Sequence, residues 1–122
     1  MRETATLGEI AQRFLTSANN FLPVVDAKGQ LLGIVALQDL KEYLGAGDEL
    51  RGVIAYDIMR PPPACVTPNQ RLLDVLPVVL TSEQRNIPVV NTLKENRLVG
   101  ALGRSEVLSI FSEAIAARKT IA

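Results

Sequence analysis

Two acidic residues stand at matching places in the sequence, each just after a glycine-containing apolar stretch. The segments are GIVALQD at 33–39 and GALGRSE at 100–106, which end in Asp39 and Glu106. In both, the carboxylate follows a small residue by three positions, Ala36 in the first and Gly103 in the second. Either carboxylate could simply favour a helix start through capping and the helix dipole. Their recurrence at matching places is what favours a binding role.

Metal and covalent catalytic chemistry is poorly supported by the sequence. The chain has no histidine and one cysteine, Cys65, which excludes the usual zinc site and any His-dependent triad. It contains no GxxxxGK[ST] loop, and the glycines at 45 and 47 lack the third glycine of a dinucleotide fingerprint. Asp48 and Glu49 are more typical of a helix start than of an acid/base pair. We therefore expect a protein that is not an enzyme.

Composition limits the class of partner. The 122 residues are 48% hydrophobic, with 13 basic and 13 acidic side chains and only 4% aromatic residues. Balanced charge and few aromatics give no support for a nucleic-acid partner. No segment approaches the roughly 20 apolar residues of a membrane span, and the start has no signal-peptide core. We expect a soluble domain that belongs to a larger protein, with Cys65 as an ordinary strand residue.

An internal repeat organises the chain. FLPVVD at 21–26 is matched by NIPVVN at 86–91, an offset of 65 residues, whereas the glycines and carboxylates of the two acidic segments are offset by 67. Two residues are therefore predicted to be added in the second hairpin loop. Each unit is too small to bury a good core alone, so the two should pack face to face with pseudo-two-fold symmetry.

Periodicity and turn residues predict the elements. Apolar spacing favours helices at 7–18, 37–44, 70–82 and 105–119, with a connecting helix at 48–59 and Ser105 as an N-cap. Short apolar runs favour strands at 21–26, 31–36, 87–91 and 97–102. Gly29 can take a positive φ in the first turn, RPPPA should be extended, and Pro77 should kink its helix or delay its start.

With these motifs, the chain resembles a tandem pair of CBS domains, often called a Bateman module. The family motif is a strand that ends in Gly-apolar-apolar-Thr/Ser-x-x-Asp, and the resemblance covers essentially the whole chain. It implies an α/β (α+β) fold of two β-α-β-β-α repeats. We predict repeat 1 with its connecting helix at 1–59, its first strand truncated, and repeat 2 at 60–122. The run VIAYDIMRP also resembles the linker of CBS pairs in bacterial ClC-type chloride channels and transporters.

The family resemblance implies two nucleotide clefts between the repeats, in which a motif carboxylate binds the ribose hydroxyls of ATP, ADP or AMP. A carboxylate suits this role because it accepts two hydrogen bonds at once from a vicinal diol. The first predicted cleft joins one set of residues: Asp39, Ala36, Pro63, Ala64, Arg85, Asn86 and Pro88. The second joins another: Glu106, Gly103, Phe21, Leu22 and Pro23.

Particular roles follow from that resemblance. Arg85 is the predicted phosphate ligand of the first cleft, and Phe21 is predicted to lie against adenine in the second. The chain departs from the motif, because Ala36 and Gly103 replace Thr/Ser and Glu106 replaces Asp. A purely structural interpretation stays open for each residue: Phe21 is equally compatible with core or dimer interface, and Arg85 with an exposed loop cation.

The sequence leaves two main functional hypotheses. The first is a regulatory module that senses an adenine nucleotide, holds no tight cofactor, and belongs to a larger inner-membrane protein of the ClC type as its cytoplasmic domain. The second is a ligand-free structural module that forms a homodimer through its helices, with Ile110, Phe111 and Ile115 facing the partner. An enzyme accessory domain is a third hypothesis, with no sequence feature in its favour.

Overall fold

The computed structural model describes residues 1–45 and 52–121, with side chains described up to residue 117. The order helix–strand–strand–helix occurs twice, with one short additional helix between the two copies. Their bounds are α1 Leu7–Leu15, β1 Phe21–Val25, β2 Leu31–Ala36, α2 Leu37–Gly45, α3 Ala55–Ile58, α4 Leu72–Thr81, β3 Asn86–Val90, β4 Leu98–Gly103 and α5 Arg104–Ile121. The mixed helix and strand fold with two small antiparallel sheets confirms the predicted fold class.

Both sheets are two-stranded antiparallel hairpins with equivalent registers. Pro23 lies opposite Ile34 in the first hairpin, and Pro88 lies opposite Ala101 in the second. Five residues separate β1 from β2 and seven separate β3 from β4, which confirms the predicted two-residue addition. Gly29 has the predicted positive φ of 80°, a conformation that glycine adopts without steric cost.

The hairpins pair with one another across the repeats. The amide of Leu31 donates to the carbonyl of Asn96 at 2.8 Å, and the amide of Leu98 donates to the carbonyl of Gly29 at 2.9 Å. These equivalent bonds relate the repeats by the pseudo-two-fold symmetry that the sequence predicts. The positive φ of 56° at Asn96, the counterpart of Gly29, follows the same symmetry.

Each repeat has its own apolar core, formed on the helix-facing side of its hairpin. The first contains Ala5, Leu7, Ile10, Phe14, Leu22, Val24, Val35, Leu40, Ala55 and Ile58. The second contains Val66, Val75, Val79, Ile87 and Val107. Successive strand residues point to opposite faces, so alternate positions are left to face the other repeat.

The first strand of each repeat is reduced to a single bridging residue. The amide of Val25 donates to the carbonyl of Met1 at 2.8 Å, as the amide of Val90 donates to that of Val66 at 2.9 Å. Met1 and Val66 thus hold equivalent places, 65 residues apart. The domain boundary between 59 and 60 stays a prediction.

Several helices differ from their predicted bounds: α1 ends at Leu15 in place of 18, and α4 spans Leu72–Thr81 in place of 70–82. The helix predicted at 48–59 is wrong in its described part, because Gly52 has a φ of 81° and only Ala55–Ile58 is helical; residues 46–51 lie outside the described residues. Ser105 is not an N-cap, because α5 begins at Arg104 directly after β4. Pro77 lies inside α4, and helical pairing continues past it to Thr81.

The linker after α3 pairs with β2 of the first hairpin at a single residue, Arg60. Arg60 and Ile34 exchange two backbone hydrogen bonds, of 2.7 and 3.1 Å. This approach requires a glycine at 33, since a Cβ there would lie 2.3 Å from the carbonyl oxygen of Arg60 and 3.1 Å from Sδ of Met59. At the equivalent Gly100, a Cβ would meet no atom within 4 Å.

We predict that Gly33→Ala lowers the free energy of unfolding by about 1–3 kcal/mol, because the added methyl group must push the linker off β2. Gly100→Ala is the matched control and should change it by less than about 0.5 kcal/mol. Urea denaturation followed by circular dichroism measures both values. Equal stability of the two variants would contradict the packing described for the linker.

Candidate functional site

Asp39 is held by an ion pair with the linker. It lies in the first turn of α2, and its two carboxylate oxygens accept from Nε and Nη2 of Arg60 at 2.7 and 2.9 Å. The Asp39 side chain is 21% exposed and that of Arg60 is 42% exposed. Bidentate geometry of this kind fixes both side chains in one orientation. The predicted diol-binding carboxylate therefore already accepts two parallel hydrogen bonds.

The ion pair lowers the pKa of the Asp39 carboxyl below its ordinary value of 3.8, chiefly through the hydrogen bonds from Arg60. A carboxyl whose pKa falls on folding stabilises the protein above its ordinary pKa and loses that contribution as the pH falls through the lowered value. Asp39 is consequently an anion at neutral pH, as a hydrogen-bond acceptor for a diol must be.

Beside this pair lies a recess of about 360 Å³. Its lining is Asn20, Phe21, Ala36, Leu37, Gln38, Lys41, Arg60 and Glu83. The guanidinium carbon of Arg60 lies 5.9 Å from the centroid of the Phe21 ring, within cation–π range. Lys41 adds a second cation, so the recess combines an aromatic face with two positive groups.

One polar atom at this recess lacks a partner. Asn20 donates from Nδ2 to the carbonyl of Glu83 at 3.2 Å, but its Oδ1 is buried without a hydrogen bond. A buried acceptor without a donor is unfavourable, and it marks a place where a ligand or water could donate.

Two further recesses adjoin the first and share lining residues with it. One of about 240 Å³ includes Pro63 and Ala64 and shares Glu83. The other, of about 130 Å³, lies between the hairpins and shares Phe21. Its remaining lining is Asn19, Pro23, Ile34, Gln84, Asn86, Pro88, Leu98, Gly100 and Ala101.

The structure distributes the first predicted cleft over these three recesses. Ala36 lines the recess beside Asp39, Pro63 and Ala64 line the second, and Asn86 and Pro88 line the third. Arg85, the predicted phosphate ligand, lines none of them. Its Nη1 donates to the carbonyl of Ala18 at 2.7 Å and so connects the two repeats.

The residues of the second predicted cleft are also grouped differently. Phe21 lies beside the Asp39–Arg60 pair of its own repeat and not with Glu106. Leu22 is buried in the first core, because strand alternation turns it away from Phe21 and Pro23. Leu22, predicted to line the second cleft, is therefore a core residue in the structure.

Glu106 is exposed and folds back on its own strand. A Cβ on Gly103 would lie 3.1 Å from both Cδ and Oε1 of Glu106. The Glu106 side chain therefore occupies space that is free only because residue 103 is a glycine. A Ser or Thr at 103 would displace the carboxylate. No salt bridge to Glu106 occurs in the described residues.

Sequence reasoning missed the two cations of the recess, Arg60 and Lys41, as well as Asn20 and Glu83. Lys41 follows Asp39 by two positions, and Arg60 stands directly before three prolines. The extended backbone predicted for RPPPA was the available signal, because an extended linker can run beside a strand and place its first side chain near that strand's end.

Within the described ranges, no cluster of three or more His, Cys, Asp or Glu side chains is arranged to hold a metal ion. None of the described helices is long and apolar enough to cross a membrane.

Comparison with known families identifies the fold. The model of the CBS domain matches residues 1–46 and 54–113, so this chain belongs to the CBS-domain family. A curated relative is the meiotically up-regulated gene 70 protein of Schizosaccharomyces pombe, 36% identical over 84 residues. The match covers 68% of this chain but only 12% of that protein.

Solved structures agree with the family assignment. A CBS domain pair/ACT domain protein of Thermotoga maritima has a TM-score of 0.77 and 25% identity, covering 93% of this chain and 88% of its own. CBSX2 of Arabidopsis thaliana, solved in complex with AMP, has a TM-score of 0.72 and 24% identity, covering 93% and 87%. The ClC-type resemblance of the linker stays a prediction.

Proposed function

We propose that this CBS pair is a non-catalytic regulatory module that binds an adenine nucleotide in the recess beside Asp39. The observation that carries the proposal is the bidentate Arg60–Asp39 pair, which presents an ionised carboxylate and a guanidinium at one recess. The recess volume of about 360 Å³ falls within the roughly 300–1,000 Å³ of small-ligand pockets.

Binding would exchange the partners of the ion pair. The two ribose hydroxyls would replace the two N–H groups on Asp39, since both present a pair of donors to one carboxylate. The released guanidinium of Arg60, with Lys41 nearby, would then bind phosphate. This arrangement assigns the phosphate to Arg60 in place of Arg85, which is engaged with Ala18.

The base would be placed by two groups at the same recess. Release of Arg60 uncovers the Phe21 ring, on which adenine can stack. The unpartnered Oδ1 of Asn20 can accept from the exocyclic amino group of adenine. AMP bound to CBSX2, which shares this fold, supports the choice of ligand class.

Regulation would act through contacts between the repeats. Glu83 of the second repeat lines the recess and its carbonyl accepts from Asn20 of the first, so a ligand there touches both repeats. We propose that binding changes their packing and that no cofactor is held tightly.

The host would be a larger protein, for which we propose a ClC-type channel or transporter of the inner membrane, with this module on its cytoplasmic side. The resemblance of the 53–61 segment supports the ClC assignment. The match to a small part of the yeast relative supports a module within a longer chain.

We predict that AMP, ADP or ATP raises the melting temperature of the wild-type protein. Binding to the folded state alone adds RT ln(1 + [L]/Kd), or about 1.4 kcal/mol at a tenfold excess over Kd. Asp39→Asn should abolish the shift, whereas Glu106→Gln, the matched control in the second repeat, should keep it. Differential scanning fluorimetry measures the shifts, and circular dichroism checks that both variants fold.

The absence of a shift with all three nucleotides would contradict the proposal. A shift lost in Glu106→Gln and kept in Asp39→Asn would move the site to the second repeat.

Dimerisation is the second candidate function, favoured by apolar side chains on the surface of the second repeat. Ile110 and Ile115 of α5 are 49% and 55% exposed, and α4 exposes Leu73 at 70%. Large exposed apolar side chains on neighbouring helices are typical of an interface. Phe111 differs from its prediction, because it is half-buried and packs on the second core.

We expect Ile110→Lys to convert a homodimer to a monomer, because burying an unpaired ammonium at an interface is costly. Ser112→Lys places the same charge about 200° away around the helix and should leave the dimer intact. Light scattering after size exclusion measures the mass, and a wild-type monomer at all concentrations would exclude this role.

A further inference from the structure

The recess beside Asp39 carries negative side chains as well as positive ones. Arg60 and Lys41 line it as cations, and Glu83 of the second repeat lines it as an anion. The Asp39 carboxylate adds a further negative charge through its pair with Arg60. The cations of the recess are therefore matched in number by carboxylates, although a phosphate group has to bind among them.

Glu83 acts on the same guanidinium that would bind the phosphate. The pKa of Arg60 is raised above its ordinary value, chiefly by the hydrogen bond to Asp39. The negative charges of Glu83 and Glu42 act in the same direction, so the guanidinium lies within electrostatic reach of both. An anion bound to Arg60 would consequently feel the repulsion of Glu83 across the recess.

The adjoining recesses supply no further cation. Among the described residues that line them, none is basic, and the recess that includes Pro63 and Ala64 shares Glu83 itself. Arg85 donates to the carbonyl of Ala18 and lines neither of them. A phosphate chain that extends from the first recess into a neighbouring one would thus move away from both cations.

We propose that Glu83 makes this site selective for nucleoside monophosphates over triphosphates, an inference that rests on the proposed nucleotide binding at Asp39. One phosphate group carries about 1.5–2 negative charges near neutral pH, which Arg60 and Lys41 together can balance. Each additional phosphate brings negative charge without a cation to pair with, and the fixed carboxylate of Glu83 repels it. The selectivity comes from repulsion of the competitor as much as from attraction of the preferred ligand.

The test compares the affinities of the protein for AMP and for ATP. Isothermal titration calorimetry is carried out at low ionic strength without magnesium, so that ATP is the free anion. We expect the wild type to bind AMP about tenfold more tightly than ATP, or better. Glu83→Gln removes the charge at nearly constant size and keeps the backbone carbonyl that accepts from Asn20. It should reduce the ratio of the two affinities by about fivefold or more, mainly through tighter binding of ATP.

A matched variant and a salt series separate Glu83 from the overall charge of the protein. Glu113→Gln removes the same charge from an exposed position on α5 and should keep the wild-type ratio. Because the Glu83 side chain is also exposed, added salt should screen its repulsion and narrow the ratio in the wild type. The same salt should change the ratio less in Glu83→Gln. Circular dichroism without nucleotide checks that both variants fold.

The outcomes distinguish this inference from the proposed function. AMP and ATP binding equally well to the wild type, or ATP binding more tightly, would overturn the selectivity and leave nucleotide binding intact. An unchanged ratio in Glu83→Gln, or an equal fall in Glu83→Gln and Glu113→Gln, would overturn the role of Glu83. If neither nucleotide binds to the folded wild type, the selectivity and the proposed function are both wrong.

Discussion

A two-stranded sheet is marginally stable by itself, and this chain contains two of them. Each hairpin gains further partners: the carbonyls of Met1 and Val66 accept from the amides of Val25 and Val90 at the ends of β1 and β3, and the turn carbonyls of Gly29 and Asn96 accept from the opposite repeat. The pseudo-two-fold contact therefore contributes to the stability of each repeat. Recesses at that contact are consequently places where a ligand can influence both halves together.

The linker makes the two repeats unequal. It lies across Gly33, pairs with Ile34, and delivers the Arg60 guanidinium to Asp39 and to the face of Phe21. Arg60 thereby fixes the orientation of the Asp39 carboxylate beside a recess and favours its ionised form. Glu106 of the second repeat, in contrast, lies exposed against Gly103. The same backbone path thus explains why, of the two motif carboxylates, Asp39 alone has a guanidinium partner among the described residues.

The sequence was sufficient to predict the features that occur in both repeats. The offsets of 65 and 67, the Pro-Val-Val strands and the apolar spacing predicted the hairpins, the added loop residues and the family. It was insufficient for the contacts of the linker, because the extended backbone predicted for RPPPA does not indicate which strand Arg60 pairs with, and Ile34 lies 26 residues away along the chain. Leu22 was misplaced for a different reason: alternation of strand residues was available and would have assigned it to the core.

The exchange of Arg60 for a nucleotide on Asp39 is the central claim, and side-chain NMR tests it directly. The Asp39 carboxyl carbon and the Arg60 Nε are observed while AMP is added at neutral pH. We predict that both signals move and saturate together, because the diol takes the carboxylate as the guanidinium leaves it. Unchanged signals of Asp39 and Arg60 at AMP concentrations that stabilise the protein would contradict the account.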